Sequence, residues 1–376
     1  MKSFKPDKIK ILLSGGGTGG QIFPAIAIAN ALKSKLKDVE ILFVGAKGRM
    51  EMDKVPQAGY PIKGLWISGL QRRLDLNNLA FPFKVVSSLL GAAKIVRQFK
   101  PDVAIGTGGY ASGPLVYMAS RKSVPTLILE QNSYPGITNK LLGKNVDKIC
   151  VAYKELDKFF PKEKIVVTGT PIRKEILDLQ VTRQDGLDFF GLKSEKPVLL
   201  IIGGSQGAQK INEAIAKNLE KILAQNVSVI WQTGKPSFET ARAEAEKCTN
   251  KDAVRVHDFI IRMDMAYAAA DLIISRAGAI AIAEIIAVNK PAIFIPLPSA
   301  AEDHQTKNAE TLVKGHAAVM IKESETDNKL LKTITDLLKM KSTRLLLAQN
   351  LKRFERPDAT ERIVLEVIKL MNKKRW

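Results

Sequence analysis

Cysteine is nearly absent: Cys150 and Cys248 are the only two in 376 residues, far apart and outside any metal-like spacing. That excludes a disulfide framework and points to a reducing compartment, with both thiols expected in the core. Histidine is equally scarce, three in all, and no D-x-D or paired-His spacing offers a divalent cation a site. Acids fall short of bases, 38 against 58, and the resulting net charge of +20 favours a polyanionic surface, whether membrane, nucleic acid or phosphorylated ligand. No nucleic-acid-binding module is recognisable, so specific nucleic-acid binding is not expected. No stretch of about 18 uncharged apolar residues could form a spanning helix, and the apolar run behind MKSFKPDK is too short for a signal peptide.

What is present is alternation. Short apolar runs (KIKILLS, EILFVG, DVAIG, VPTLILE, DKICVA, KIVVTG) alternate with helical patterns, predicting a parallel, doubly wound sheet. After Gly169-Thr170-Pro171 the pattern restarts with KPVLLIIGG, VSVIWQTG, AVRVHDF, DLIISRAG and KPAIFIPLP. This places one Rossmann-like domain over 1–168 and a second over 169–354. The amphipathic helix of about 355–376, with Ile363, Val364, Val367, Ile368 and Leu370 on one stripe, is expected to pack back on the first. Ligands of such sheets bind beyond the carboxyl ends of the strands, so two domains of this kind imply a deep cleft between them.

Both halves open on a glycine turn, Gly15 to Gly20 and Gly203 to Gly207. Gly15, Gly17 and Gly20 match G-x-G-x-x-G between a strand and a helix expected to start at Pro24. A dinucleotide site also needs an acid at the end of the second strand, and EILFVG ends in Gly45 and Ala46. Each turn is therefore read as a cradle of backbone N–H groups for some other anion.

Further chemistry is expected where strands end. In SRAGAIAIAE, 275–284, the sixth residue of the expected helix is Glu284, placed to accept both hydroxyls of a ribose, or else an ordinary solvated glutamate. In PLPSAAEDHQTKNAE, 296–310, Gln305 is read as a sugar contact, and Asp303 as a sugar contact or a helix cap. Arg173 in GTPIRKE is a forked phosphate binder or a surface arginine beside a linker. Glycines around Tyr110 and the amide of Asn132 mark two more loops, for which turn chemistry is the alternative. The stretch from Arg72 to Lys100 is amphipathic, with no acid between Asp75 and Asp102; it suits an anionic bilayer surface, and its apolar face equally suits the sheet. Pro82 is expected to split it.

Seven stretches carry a resemblance along nearly the whole chain: GGGTGG at 15–20, GGYASGP at 108–114, EQNSYPGITNKLL at 130–142, GTPIR at 169–173, GGSQGA at 203–208, SRAGAIAIAE at 275–284 and DHQTKNA at 303–309. Together they resemble the MurG family of glycosyltransferases. The resemblance implies a GT-B fold and transfer of N-acetylglucosamine from UDP-N-acetylglucosamine to undecaprenyl-diphospho-muramoylpentapeptide (lipid I), inverting, without metal or cofactor. By resemblance, the donor side comprises Arg173, Ser205, Ile260, Ala279, Ile280, Glu284 and Gln305 with Asn132, and Thr18, Gly19 and Gly20 from the first domain. Gly16, Gly17, Gly108, Gly109, Tyr110 and Ser112 would take the acceptor diphosphate. The implied location is the cytoplasmic face of the bacterial inner membrane, held peripherally, with other cell-wall enzymes as further partners.

The chain departs from the family pattern at Gln21, usually His; an amide cannot act as a base, and Glu130, Asp303 and His304 are the remaining candidates. Ala281, where a hydroxyl residue is common, and Leu129, often polar, are lesser departures. Two other readings stay open: another GT-B lipid glycosyltransferase, such as one acting on diacylglycerol, and a non-catalytic UDP-sugar-binding relative.

Overall fold

The computed structural model describes residues 8–69, 81–193, 195–204 and 207–373. The chain forms two compact units, one of Met1–Ile172 with Asp358–Trp376 and one of Arg173–Pro357.

The first unit runs β1 (Ile9–Ser14), α1 (Gly19–Lys35), β2 (Val39–Ala46), α2 (Glu51–Gln57), β3 (Ile62–Leu65), α3 (Phe81–Phe99), β4 (Val103–Gly106), α4 (Ser112–Arg121), β5 (Thr126–Glu130), α5 (Ile137–Leu142), β6 (Lys148–Val151) and β7 (Ile165–Val167). All strands are parallel, in the order β3-β2-β1-β4-β5-β6-β7. The order reverses at β1, and register sets Ser14 between Val44 and Gly106, so the loops after β1, β2 and β4 emerge side by side. Such a switch point is where these sheets bind ligands.

The second unit repeats the plan: α6 (Lys174–Leu177), α7 (Arg183–Phe190), β8 (Val198–Ile202), α8 (Gln209–Leu223), β9 (Ser228–Gln232), α9 (Phe238–Glu246), β10 (Val254–His257), α10 (Met263–Ala269), β11 (Leu272–Ser275), α11 (Ala279–Ala287), β12 (Ala292–Phe294), α12 (His304–Lys314), β13 (Val319–Met320), α13 (Thr326–Lys339) and α14 (Lys341–Leu351). Its sheet, β10-β9-β8-β11-β12-β13, reverses at β8, with Ile202 between Gln232 and Ser275. The final helix, α15 (Ala359–Lys373), belongs to the first unit. There Ile363, Val364, Val367 and Leu370 share a core with Ile22, Ala25, Ile28 and Leu32 of α1. Burying four such side chains is worth on the order of 6–12 kcal/mol.

One expectation needs correction. Helix α1 begins at Gly19, not Pro24, and Pro24 lies inside it. Proline has no N–H for the carbonyl four residues back; that carbonyl, Gly20 O, instead accepts from Gln131 Nε2 at 2.9 Å. Pro82 is the second described residue of α3, and most of the stretch it was expected to split off precedes it. Arg72 to Leu79 lies outside the described residues. Ser88, Ala92, Ile95 and Val96 of α3 are buried, whereas Phe83, Val86 and Leu90, one further stripe, are exposed.

Candidate active site

In the first unit the glycine turn after β1 and the loop after β4 form one hydrogen-bonded body. Thr107 N–H donates to Ser14 O at 2.8 Å, the Thr107 hydroxyl to Gln21 O at 2.7 Å, and Gly16 N–H to Gly108 O at 3.4 Å. The Gln21 amide bridges them, its nitrogen donating to Gly16 O and its oxygen accepting from Gly109 N–H at 3.1 Å. Gly109 has φ +85°, and a Cβ there would collide with Gly16 O, so close approach as well as backbone conformation demands glycine. Ser112, fully buried, closes the turn by donating to Gly109 O at 2.8 Å. Tyr110 lies against Gly17, and burial pushes its phenol up, with Arg49 and Glu51 acting in opposite directions.

Glu51 is the acid that the pattern after β2 did not reveal. Fully buried at the start of α2, it accepts from Gly17 N–H and Ala46 N–H, both at 3.0 Å. Both oxygens are thus committed to backbone, which fixes the glycine turn and keeps this carboxylate from acting as a ribose acceptor. Gly19 and Gly20 open the first turn of α1, where backbone N–H groups have no intrahelical acceptor.

Glu130, at the end of β5, is 2% exposed and takes four donors: Asn132 N–H, the Asn132 amide, Gly136 N–H and the Asn139 amide, at 2.9–3.1 Å. Burial raises its pKa and these bonds oppose the rise. This carboxyl organises the loop that carries Asn132. Gln131, next along, ties the same loop to Gly20.

In the second unit, the glycine turn follows β8. Gly203 N–H donates to Gln232 O at 3.0 Å and Gly207 N–H to Gly204 O at 3.1 Å; a Cβ on Gly207, φ +76°, would lie 2.5 Å from Thr233 O. Ser205 falls outside the described residues. Ile260 is buried behind β10, with its N–H 3.4 Å from Gln232 Oε1.

Glu284 sits in the second turn of α11, 4% exposed. Arg173 Nε and Nη2 donate to its Oε1 at 3.1 and 3.0 Å, and Tyr267 of α10 donates to its Oε2 at 3.0 Å. Burial and the adjacent carboxylate hold the Tyr267 phenol far above its usual range, so it stays a donor. Arg173 and Glu284, 111 residues apart, are therefore direct partners. Ala279 and Ile280 form the first turn of the same helix, half-buried, behind the N-cap Gly278. Arg276 ties that turn to the next loop, donating to Ile295 O and Pro296 O at 3.1 Å and pairing with Glu323.

The loop entering α12 is strained: Glu302 and Asp303 both have positive φ, 54° and 52°, a cost tolerated mainly at functional sites. Asp303 occupies the N-cap position but caps no backbone N–H; it accepts from the Thr306 hydroxyl at 2.7 Å. Gln305 Oε1 accepts from Leu297 N–H at 3.0 Å, which leaves its amide nitrogen for a ligand. His304 Nδ1 lies 2.6 Å from Ala301 O. A carbonyl only accepts, so Nδ1 carries a proton. Among the described residues no three His, Cys, Asp or Glu side chains converge as a metal site.

Three of these residues escaped sequence reading: Glu51, Gln131 and Tyr267. Only Tyr267 left a signal, since a phenol inside the apolar helix MDMAYAA needs a partner.

Two units with parallel sheets of matching strand order, each opening on a glycine turn, make the GT-B architecture of sugar-nucleotide transferases. The chain belongs to glycosyltransferase family 28: the models described as its N-terminal and C-terminal domains match residues 11–151 and 198–363. It is 52% identical, over 97% of its length and 98% of the relative's, to the UDP-N-acetylglucosamine--N-acetylmuramyl-(pentapeptide) pyrophosphoryl-undecaprenol N-acetylglucosamine transferase of Flavobacterium psychrophilum. The protein of the same name from Cytophaga hutchinsonii is also 52% identical, over 96% of this chain and 97% of that one. Among solved structures, Acinetobacter baumannii MurG superposes with a TM-score of 0.75 at 29% identity, covering 96% of this chain and 99% of that one.

Proposed function

We infer that this protein transfers N-acetylglucosamine from UDP-N-acetylglucosamine to the muramoyl 4-hydroxyl of undecaprenyl-diphospho-muramoylpentapeptide. The observation that carries this reading is the 52% identity, along almost the full chain, to transferases named for that reaction. In the proposed mechanism the 4-hydroxyl attacks the anomeric carbon from the face opposite UDP, the bond to the diphosphate breaks, and the configuration inverts. The first-turn N–H groups of α8 and the Arg173 guanidinium stabilise the charge that grows on the diphosphate. Glu284 reads the ribose, Ile260 lies against the uracil, and Asn132 and Gln305 bind the donor sugar. Thr18, Gly19 and Gly20 lie on the donor side, and the loops at Gly16–Gly17 and Gly108–Gly109 take the acceptor's diphosphate.

Turnover measured as UDP release with a soluble lipid I analogue tests this directly. In EDTA the wild type is expected to retain its full rate, and Gln21→His is expected to change it by less than about tenfold, since a neutral imidazole can also donate to one loop and accept from the other. UDP binding without UDP release in the wild type, with release gained in Gln21→His, would establish a binding protein instead.

The exposed face of α3 supports a peripheral place on the cytoplasmic side of the inner membrane. Phe83 is 72% and Leu90 68% exposed, and Lys84 lies 5.9 Å from the ring of the exposed Trp66. Among the described residues no helix is long and apolar enough to cross a membrane. Phe83→Asp with Leu90→Asp is expected to reduce sedimentation with vesicles rich in anionic lipid by about tenfold or more, at unchanged turnover of a soluble acceptor. Unaltered sedimentation would remove α3 from the membrane face.

A further inference from the structure

The bonds around Glu284 leave its carboxylate short of acceptors for the ligand assigned to it above. A carboxylate offers about four acceptor positions. Arg173 fills both on Oε1 and Tyr267 one on Oε2, so among the described residues a single position on Oε2 remains. A ribose diol brings two donors, one for each oxygen. Both hydroxyls are read together only when Oε1 is released.

Of the two partners only Arg173 can leave. Tyr267 is 1% exposed and fixed within α10, whereas the Arg173 side chain is 44% exposed against 6% for Glu284. Arg173 also has extended backbone angles, φ −64° and ψ 140°, just ahead of α6, so its side chain swings without disturbing a helix. Departure has a cost: two charge-assisted bonds are exchanged for water unless another anion receives the guanidinium. A diphosphate is such an anion, and its oxygens suit the guanidinium fork.

We propose that Arg173 is a specificity-determining residue: it occupies the ribose-reading carboxylate and yields it only to a ligand whose diphosphate takes the arginine in exchange. The ion pair thereby makes the site select a nucleoside diphosphate over the bare nucleoside. Tyr267 is the positioning residue that holds Glu284 in place while the exchange occurs. This inference rests on the donor-site reading of the second unit.

The test is titration calorimetry of the full chain with uridine and with UDP, for the wild type and Arg173→Gln. The substitution frees Oε1 and removes a phosphate partner, so the two ligands move in opposite directions. Uridine is expected to bind about tenfold more tightly than to the wild type, and UDP about tenfold more weakly. Arg173→Lys, which keeps the charge but not the fork, is expected to shift uridine the same way by about threefold; it carries the test if Arg173→Gln does not fold. Weaker or unchanged uridine binding alongside weaker UDP binding would make Arg173 a plain phosphate contact and overturn the proposal. A wild type that binds neither ligand would overturn the donor-site reading, and the proposal with it.

Discussion

Replacing Glu284 with Gln is expected to lower kcat/KM for the nucleotide-sugar donor by about 10²–10⁴-fold, mostly through KM. Hydrogen bonds to a charged acceptor are worth about 1.5–3 kcal/mol each, and two ribose hydroxyls lose theirs together; each 1.4 kcal/mol is about tenfold. The variant also leaves Arg173 without its carboxylate and turns the Tyr267 hydroxyl toward an amide. A purely structural defect would lower the rate equally for ribose and 2′-deoxyribose donors. Loss of the ribose reader instead abolishes discrimination between them. Steady-state kinetics with UDP-N-acetylglucosamine and its 2′-deoxyuridine analogue decide the point, and retained discrimination in Glu284→Gln would exclude Glu284 from ribose recognition.

The second large effect is expected at Gly109→Ala, with turnover falling by more than about 10²-fold while UDP binding changes by less than about twofold, because misplacing a substrate-binding loop by about 1 Å is enough. The added methyl collides with Gly16 O, a backbone atom that cannot rotate away, so the loops after β1 and β4 must part. Adopting φ +85° costs a side-chain-bearing residue about 1–2 kcal/mol in addition. Gly59→Ala separates the two causes: its φ is +82° but nothing lies within 4 Å of the new methyl. That control is expected to lose thermal stability without losing activity. Equal damage from both substitutions, in unfolding midpoint and in turnover, would mean that strain rather than loop separation is responsible.

Much of the architecture was legible because parallel strands buried on both faces read as uninterrupted apolar runs, and KIKILLS, EILFVG and KPVLLIIGG became β1, β2 and β8. The run IKGL did not stand out: β3 is four residues long and half-buried. Glu284 was legible since a lone acid inside AIAIAEIIA cannot face a core without purpose. Glu51 was not, for EMDKVPQ looks like any solvated helix and only the turn after β2 brings that acid under Gly17. The start of α1 was misplaced for a related reason. Proline normally marks a first turn, and the compensating donor, Gln131, lies 111 residues from Gly20 in the chain.

The docking of α15 makes the first unit discontinuous in sequence, and this bears on synthesis. Residues 173–357 are translated between the body of that unit and its last helix. Until Ala359–Lys373 leaves the ribosome, Ile22, Ala25 and Ile28 of α1 lack the partners that complete their core. Domains generally fold as they emerge, so here the later-made unit is free to finish first, and the earlier-made one waits for the final segment. A nascent chain stalled before Ala359 would present an unfilled groove along α1, a surface for chaperones to shield. Premature termination near residue 358 would thus compromise the half of the protein made first.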